Sequence, residues 1–231
     1  MMTLYSYWRS TASYRVRIAL ALKGLGVNQV AVSLVNNGGE QNGEAYRRIN
    51  SQGRVPSLVL DDGTVLTQSL AIIEYLEEIF PTSPLLPTDP VRRAHIRAAA
   101  AIIGCDIHPL HNSSVLNYLR TELLCRNDQV DGWIHRWIGD GLTAVEALIE
   151  DTAYCFGPEP GLAEVFLIPQ VYAAHRFGVP MDTFPNIARV AILCEGHPAF
   201  RSAHPAVQPD ASNPDGWLAT NIENSVTIDG G

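Results

Sequence analysis

The sequence predicts two domains of different class, a small α/β domain followed by an all-helical one. Three observations carry this. The first third alternates short strand-like runs with amphipathic stretches in the order β-α-β-α-β-β-α. A proline-rich segment at residues 81–90, PTSPLLPTDP, then breaks the pattern. Beyond it, helical periodicity holds almost throughout. The expected organisation is a domain at 1–81, a linker at 82–89, a helical domain at 90–210 and a tail at 211–231 of no assignable role.

Within the first domain, residues 3–7 read as a short strand. Residues 14–25 place Val16, Ile18, Ala19, Leu22 and Leu25 near helical spacing, and Gly24 and Gly26 end the run. Residues 29–34 form a second strand, and 44–49 a short helix. Residues 57–60 and 64–66 flank Asp61-Asp62-Gly63, a hairpin signal. Ser69 then caps a strong helix, SLAIIEYLEEIF, which Pro81 stops. This order suits a small mixed sheet with helices on its faces, the thioredoxin-like arrangement. In the second domain, helices are expected from 90 to about 103, with Pro109 kinking or ending the first, and at 128–149, 162–177 and 187–194.

Composition narrows the function. The 231 residues carry 24 acidic and 16 basic side chains, a net charge of −8, so there is no basic field for nucleic acid. No apolar run is long enough to span a membrane, and Tyr5, Tyr7, Trp8 and Arg9 interrupt any leader-like start. Cys105, Cys125, Cys155 and Cys194 are widely spaced, which argues against a zinc site or a disulfide framework. Idle thiols in a reducing cytoplasm are expected.

Three short motifs could carry chemistry. RSTASYRVR at residues 9–17 puts hydroxyls at a strand-to-helix junction, where the helix end and an O–H donor would favour a bound thiolate. Taken by itself, a plain N-cap served by Ser10, Thr11 or Ser13 between solvated arginines is the favoured reading. Val55-Pro56 before an apolar run is either a trans proline opening an edge strand, the favoured reading from spacing alone, or a cis bend presenting the Val55 backbone. Gln68-Ser69 at a helix start is a cap, the commoner case by itself, or a carboxylate site.

Taken together, these motifs resemble the glutathione transferases. SYWRSTASYRVRIALALKG resembles the zeta-class pattern S-S-C-S-W-R-V-R-I-A-L followed by A-L-K-G. QSLAIIEYLEE, IGCDIHPLHNSSVLNYL and LIPQVYAAHRF are similar to the same class, and the likeness runs from about residue 3 to 210. It implies the glutathione transferase fold, glutathione as cofactor, a homodimer, and glutathione-dependent cis–trans isomerisation of a small dianionic enone.

Residue by residue, the resemblance implies that Ser10 holds the glutathione sulfur as thiolate, with Thr11 as second donor. Ala12 stands where the class has cysteine, so the reacting sulfur is glutathione's. Gln41 would contact the glycyl end, Val55 and a cis Pro56 the cysteinyl backbone, and Gln68 and Ser69 the γ-glutamyl carboxylate. His108 would sit near the sulfur, with Asn112 on the same kinked segment. Arg9 and Arg176 are the expected grips for substrate carboxylates. Arg15 is expected to orient the turn, pair with an acid or assist the site.

Maleylacetoacetate is the expected substrate. Maleylpyruvate is the alternative, favoured by Ala12 but not by residues 110–119, which lack an arginine expected for it. A transferase acting on other electrophiles and a non-catalytic glutathione-binding protein are the remaining readings. Gly161 replaces the usual Ser or Thr of a capping box that Glu164 completes, so threonine at 161 is expected to raise the melting temperature.

Overall fold

The computed structural model describes residues 1–211; the expected tail lies outside the described residues apart from Ala211. Two compact units result, Met1–Ile72 with the segment from Ala199, and Ile73–Pro198. The expected linker, 82–89, contains no helix or strand.

The first unit is built on a four-stranded sheet. Strand β1 (Thr3–Ser6) alternates half-buried and buried residues, as one inward face requires. Helix α1 (Thr11–Leu22) follows, then β2 (Asn28–Ala31), which pairs parallel to β1 at the sheet edge. The short helix α2 is Glu44–Arg47. Strands β3 (Ser57–Val59) and β4 (Val65–Thr67) form the expected hairpin, with Gly63 at φ 87°. The sheet order is β2-β1-β3-β4, with β3 antiparallel to β1. Leu4 faces Leu58 across that pair, and both are fully buried.

Several boundaries differ from expectation. Helix α1 starts at Thr11 rather than 14, because Ser10 caps it. It ends with a Schellman-type closure, Leu25 N–H to Leu20 C=O at 2.9 Å, over Gly24 at φ 67°. The second strand is shorter than 29–34 and exposed throughout. Helix α3 (Ser69–Ile79) begins at Ser69, but Ser69 is not its cap. The first helical bond runs from Ile72 N–H to Gln68 C=O, so Gln68 holds the cap position at φ 68°.

The second unit is helical. Helix α4 (Pro90–Ala101) is capped by Asp89 and has proline in its first turn. It gives way to a π-helical turn at Ile102–Ile107 and a 3₁₀ turn at His108–His111. Pro109 has no N–H to donate to the carbonyl four residues back, and the irregularity precedes it. Helix α5 (Ser113–Thr121) was not foreseen as a separate element. In α6 (Asn127–Glu146), Val130, Ile134, Ile138 and Leu142 form the buried stripe. Helix α7 (Leu162–Arg176) is buried on nearly every side and forms the centre of the unit. Helix α8 (Pro185–Gly196) takes its N-terminal acceptor from a distance, since the Glu146 carboxylate accepts the Asn186 and Ile187 N–H groups at 2.7 and 2.9 Å. The short α9 (Pro198–Ala203) was also unforeseen.

Candidate active site

The residues after β1 form the first part of the site. Ser10 N–H donates to the Tyr7 carbonyl at 3.0 Å, closing a β-turn over residues 7–10. Ser10 then caps α1 with extended backbone, φ −70° and ψ 118°, and its Oγ accepts the Ser13 N–H at 3.2 Å. A hydroxyl used this way keeps its own O–H to donate elsewhere. Thr11 is the first helical residue and is buried. The Ser13 Oγ is buried with no hydrogen-bond partner among the described residues.

The reading of the flanking arginines as solvated surface fails for Arg15 and Arg17, which are buried. Arg15 Nη1 lies 3.5 Å from Ser69 Oγ, so the heads of α1 and α3 meet through these two side chains. Arg9 is half-buried, with its guanidinium carbon 5.4 Å from the Trp8 ring centroid.

The Val55–Pro56 peptide bond is cis, which corrects the trans reading from spacing. Its approach is held by residues that sequence reasoning missed. Tyr46 Oη donates to the Arg54 carbonyl at 2.8 Å and lies 2.9 Å from Ser57 Oγ. Asn50 Nδ2 donates to the same carbonyl at 2.7 Å. Burial pushes the Tyr46 phenol above its ordinary pKa, which keeps it a protonated donor. Tyr46 and Val55 share an apolar cluster with Tyr7 and Trp8, so the cis turn and the Ser10 turn rest on one support.

Gln41 sits in a 3₁₀ turn, Glu40–Asn42, and its Oε1 is buried without a partner among the described residues. A Cβ on Gly53 would lie 3.0 Å from the Gln41 carbonyl, so the two loops touch there. Gln68 Nε2 donates to Gln52 Oε1 at 2.7 Å. Tyr46, Asn50 and Gln52 left no periodic signal; their proximity to Val55-Pro56 was the only clue.

The second unit gathers its own cluster. The His108 and His111 ring centroids are 5.3 Å apart, and those of His111 and Phe177 are 5.5 Å apart. The Arg176 guanidinium lies 4.6 Å from the Phe177 ring centroid. His108 and Arg176 thus belong to one ladder of rings, with Arg176 exposed at its end. His111 is buried, with Nε2 3.1 Å from Gln170 Oε1. The π-helical turn is seated by Gly141, where a Cβ would stand 2.2 Å from Ile107 Cγ1. Asn112 caps α5, its Oδ1 accepting the Ser114 N–H at 3.1 Å, so that oxygen is engaged in the fold.

A separate cavity of about 460 Å³ in the second unit is lined by Leu85, Arg92, Phe156 and Pro160 but by none of the predicted site residues. Cys155 and Cys194 are buried, and burial, reinforced by Glu164, pushes both thiols well above the ordinary range. Among the described residues, no His, Cys, Asp and Glu group is placed to hold a metal, and no helix is long and apolar enough to cross a membrane.

Comparison with known proteins agrees with this geometry. The family described as glutathione S-transferase, N-terminal domain, matches residues 4–84. The chain is 59% identical over 209 residues to a maleylacetoacetate isomerase of Pseudomonas aeruginosa, covering 90% of this chain and 98% of that one. It superposes with a TM-score of 0.87 on the holo structure of a maleylpyruvate isomerase, a bacterial glutathione S-transferase of the zeta class. That protein is 43% identical, covering 91% of this chain and all of the other. A maleylacetoacetate isomerase from Anaeromyxobacter dehalogenans, solved with glutathione in its active site, gives a TM-score of 0.82 at 38% identity, covering 92% and 98% of the two chains.

Proposed function

The chain belongs to the zeta-class glutathione transferases, and from that premise we propose that it isomerises maleylacetoacetate to fumarylacetoacetate with glutathione as cofactor. The observation that carries the proposal is the Ser10 hydroxyl, fixed as the α1 cap by the Ser13 N–H and left with an O–H to donate.

The residues present suit glutathione. The first unit offers two helix N-termini, a cis turn and an orphaned buried acceptor, Gln41 Oε1. When bound, glutathione supplies a thiolate that adds reversibly to the conjugated double bond, leaving a single bond free to rotate before the sulfur departs. Ser10 donates its O–H to the sulfur at the positive end of α1, which favours the ionised thiol. Thr11 is the second donor. Gln68 and Ser69 take the γ-glutamyl carboxylate at the head of α3, where the first N–H groups lack intrahelical acceptors. Arg15 steadies Ser69 there. Val55 offers its backbone to the peptide, beside Pro56, and Gln41 meets the glycyl end, its Oε1 accepting the glycyl amide N–H.

The substrate is a dianion, so its carboxylates need cationic partners. Arg9 and Arg176 serve that role, since a guanidinium offers paired donors. His108 presents a ring N–H toward charge that develops on the conjugated carbonyl. Asn112 contributes through its amide nitrogen. A cytoplasmic homodimer is part of the same proposal.

Maleylpyruvate is the second substrate to test, because Ala12 leaves no protein thiol at the site. The ultraviolet absorbance of both substrates, followed with purified protein with and without glutathione, decides the matter. Glutathione-dependent loss of maleylacetoacetate, faster than that of maleylpyruvate, is expected. No glutathione-dependent loss of either would overturn the isomerase reading.

A further inference from the structure

The turn that delivers Ser10 is held by side chains from two distant parts of the chain. Trp8 N–H donates to Asp210 Oδ2 at 2.9 Å, across 202 residues of sequence. The Trp8 carbonyl accepts from Arg17 Nη2 at 2.9 Å. Arg17 Nη1 reaches the Tyr7 carbonyl at 3.4 Å and Ser6 Oγ at 3.1 Å. Arg17 Nε donates to the Ala203 carbonyl at 3.0 Å, which ties the guanidinium to the segment that carries Asp210. Both backbone polar groups of Trp8 are therefore taken by charged side chains, and neither belongs to a helix or strand ladder.

We propose that Asp210 and Arg17 are positioning residues for Ser10, and that residues 203–211 are part of the glutathione-activating apparatus rather than merely the end of the helical domain. The inference rests on the isomerase reading above. The physical case is geometric. Ser10 lies two residues beyond Trp8, and the turn between them has one backbone bond of its own, Ser10 N–H to Tyr7 C=O at 3.0 Å. The Ser13 and Tyr14 N–H groups fix Ser10 to the head of α1, but a turn held so lightly would let Ser10 and that helix end shift together relative to β1 by more than hydrogen-bond donation to a sulfur tolerates. Charge-assisted bonds to the peptide groups on either side of Trp8 remove that freedom. Trp8 and Tyr7 are buried in the apolar cluster that also holds Val55, and Ala211 packs against it, so Asp210 and its neighbour close one continuous support. Neither residue touches the sulfur; both act through the placement of Ser10.

The test uses the full chain and the variants Asp210→Ala and Asp210→Asn. The readouts are the ultraviolet thiolate absorbance of bound glutathione against pH, the kcat and KM of isomerisation, and the thermal midpoint. Asp210→Ala is expected to raise the apparent pKa of the bound thiol by about one unit and to lower kcat about tenfold. The KM for glutathione stays within about twofold of the parent's. Asp210→Asn keeps a carbonyl to accept from Trp8 N–H, so it is expected to restore both values. An unchanged thiol titration and kcat in Asp210→Ala would overturn the proposal, as would failure of Asp210→Asn to rescue. Should the alanine variant not fold, Asp210→Ser, whose hydroxyl is too short to reach, carries the same two criteria. Absence of a thiolate signal in the unsubstituted protein would instead overturn the glutathione reading, and this proposal with it.

Discussion

The Leu85 carbonyl oxygen lies 2.7 Å from the point at which a Cβ on Gly161 would stand, while it accepts the Leu162 N–H at 2.9 Å. Glycine at the head of α7 is therefore a condition for the close approach of the segment after α3. The expected gain from threonine at 161 is reversed, because the obstacle is backbone and cannot swing aside. Gly161→Ala is expected to cost about 1–3 kcal/mol, and Gly161→Thr at least as much, by urea denaturation. A raised midpoint in either variant would contradict this.

Glu164 carries the capping that position 161 cannot. It is buried, and its two oxygens accept the Cys155 N–H at 2.6 Å and the Gly161 N–H at 2.7 Å. Glu164→Gln turns one acceptor into a donor facing an N–H. A loss of about 2 kcal/mol is expected, larger than for an exposed glutamate such as Glu44. Parallel unfolding of Glu164→Gln and Glu44→Gln gives the comparison.

His204 makes stability depend on pH. Its ring is buried, its Nδ1 accepts the Ala206 N–H at 3.2 Å, and burial with the nearby Arg17 charge pushes its pKa down to about 4. Between the unfolded value near 6.5 and about 4, the unfolded chain binds a proton that the native chain does not. Stability from this group is thus complete above pH 6.5, falls as pH falls, and levels off below about 4. The loss is at most about 3 kcal/mol. Urea midpoints from pH 7.5 to 4 should fall more steeply for the parent than for His204→Asn; parallel slopes would refute the assignment.

Arg9 and Arg176 are predicted to grip substrate rather than cofactor. Arg9→Ala and Arg176→Ala should each raise the KM for maleylacetoacetate about tenfold while leaving glutathione binding unchanged. Steady-state kinetics with each ligand varied in turn separates the two. A rise confined to glutathione would reassign that arginine.

Periodicity made the architecture legible. The alternation in β1, the Asp61-Asp62-Gly63 hairpin and the stripes of α4 and α6 are local patterns, and they survived folding. The ends of elements did not follow as well. Ser69 looked like a cap and is the first helical residue, because Gln68 takes the left-handed conformation that the cap position needs here. Arg15 and Arg17 looked like solvent-facing charge, but their partners are backbone carbonyls and hydroxyls contributed by other segments. No local pattern signals such a partner. Asp210 is the extreme case, read as the last residue of the helical domain yet bonded to Trp8. Ser10, Val55-Pro56 and Gln68-Ser69 were found through the order of three motifs, each of which had a purely structural explanation by itself.

Ser10 is assigned to activate the sulfur of glutathione. The most direct test is the isomerisation rate of Ser10→Ala against the parent, at saturating glutathione and maleylacetoacetate. A fall in kcat of about 100-fold is expected. Glutathione binding should persist, and the lost cap should cost about 1 kcal/mol of stability. A folded Ser10→Ala protein that isomerises at the parent rate would contradict it.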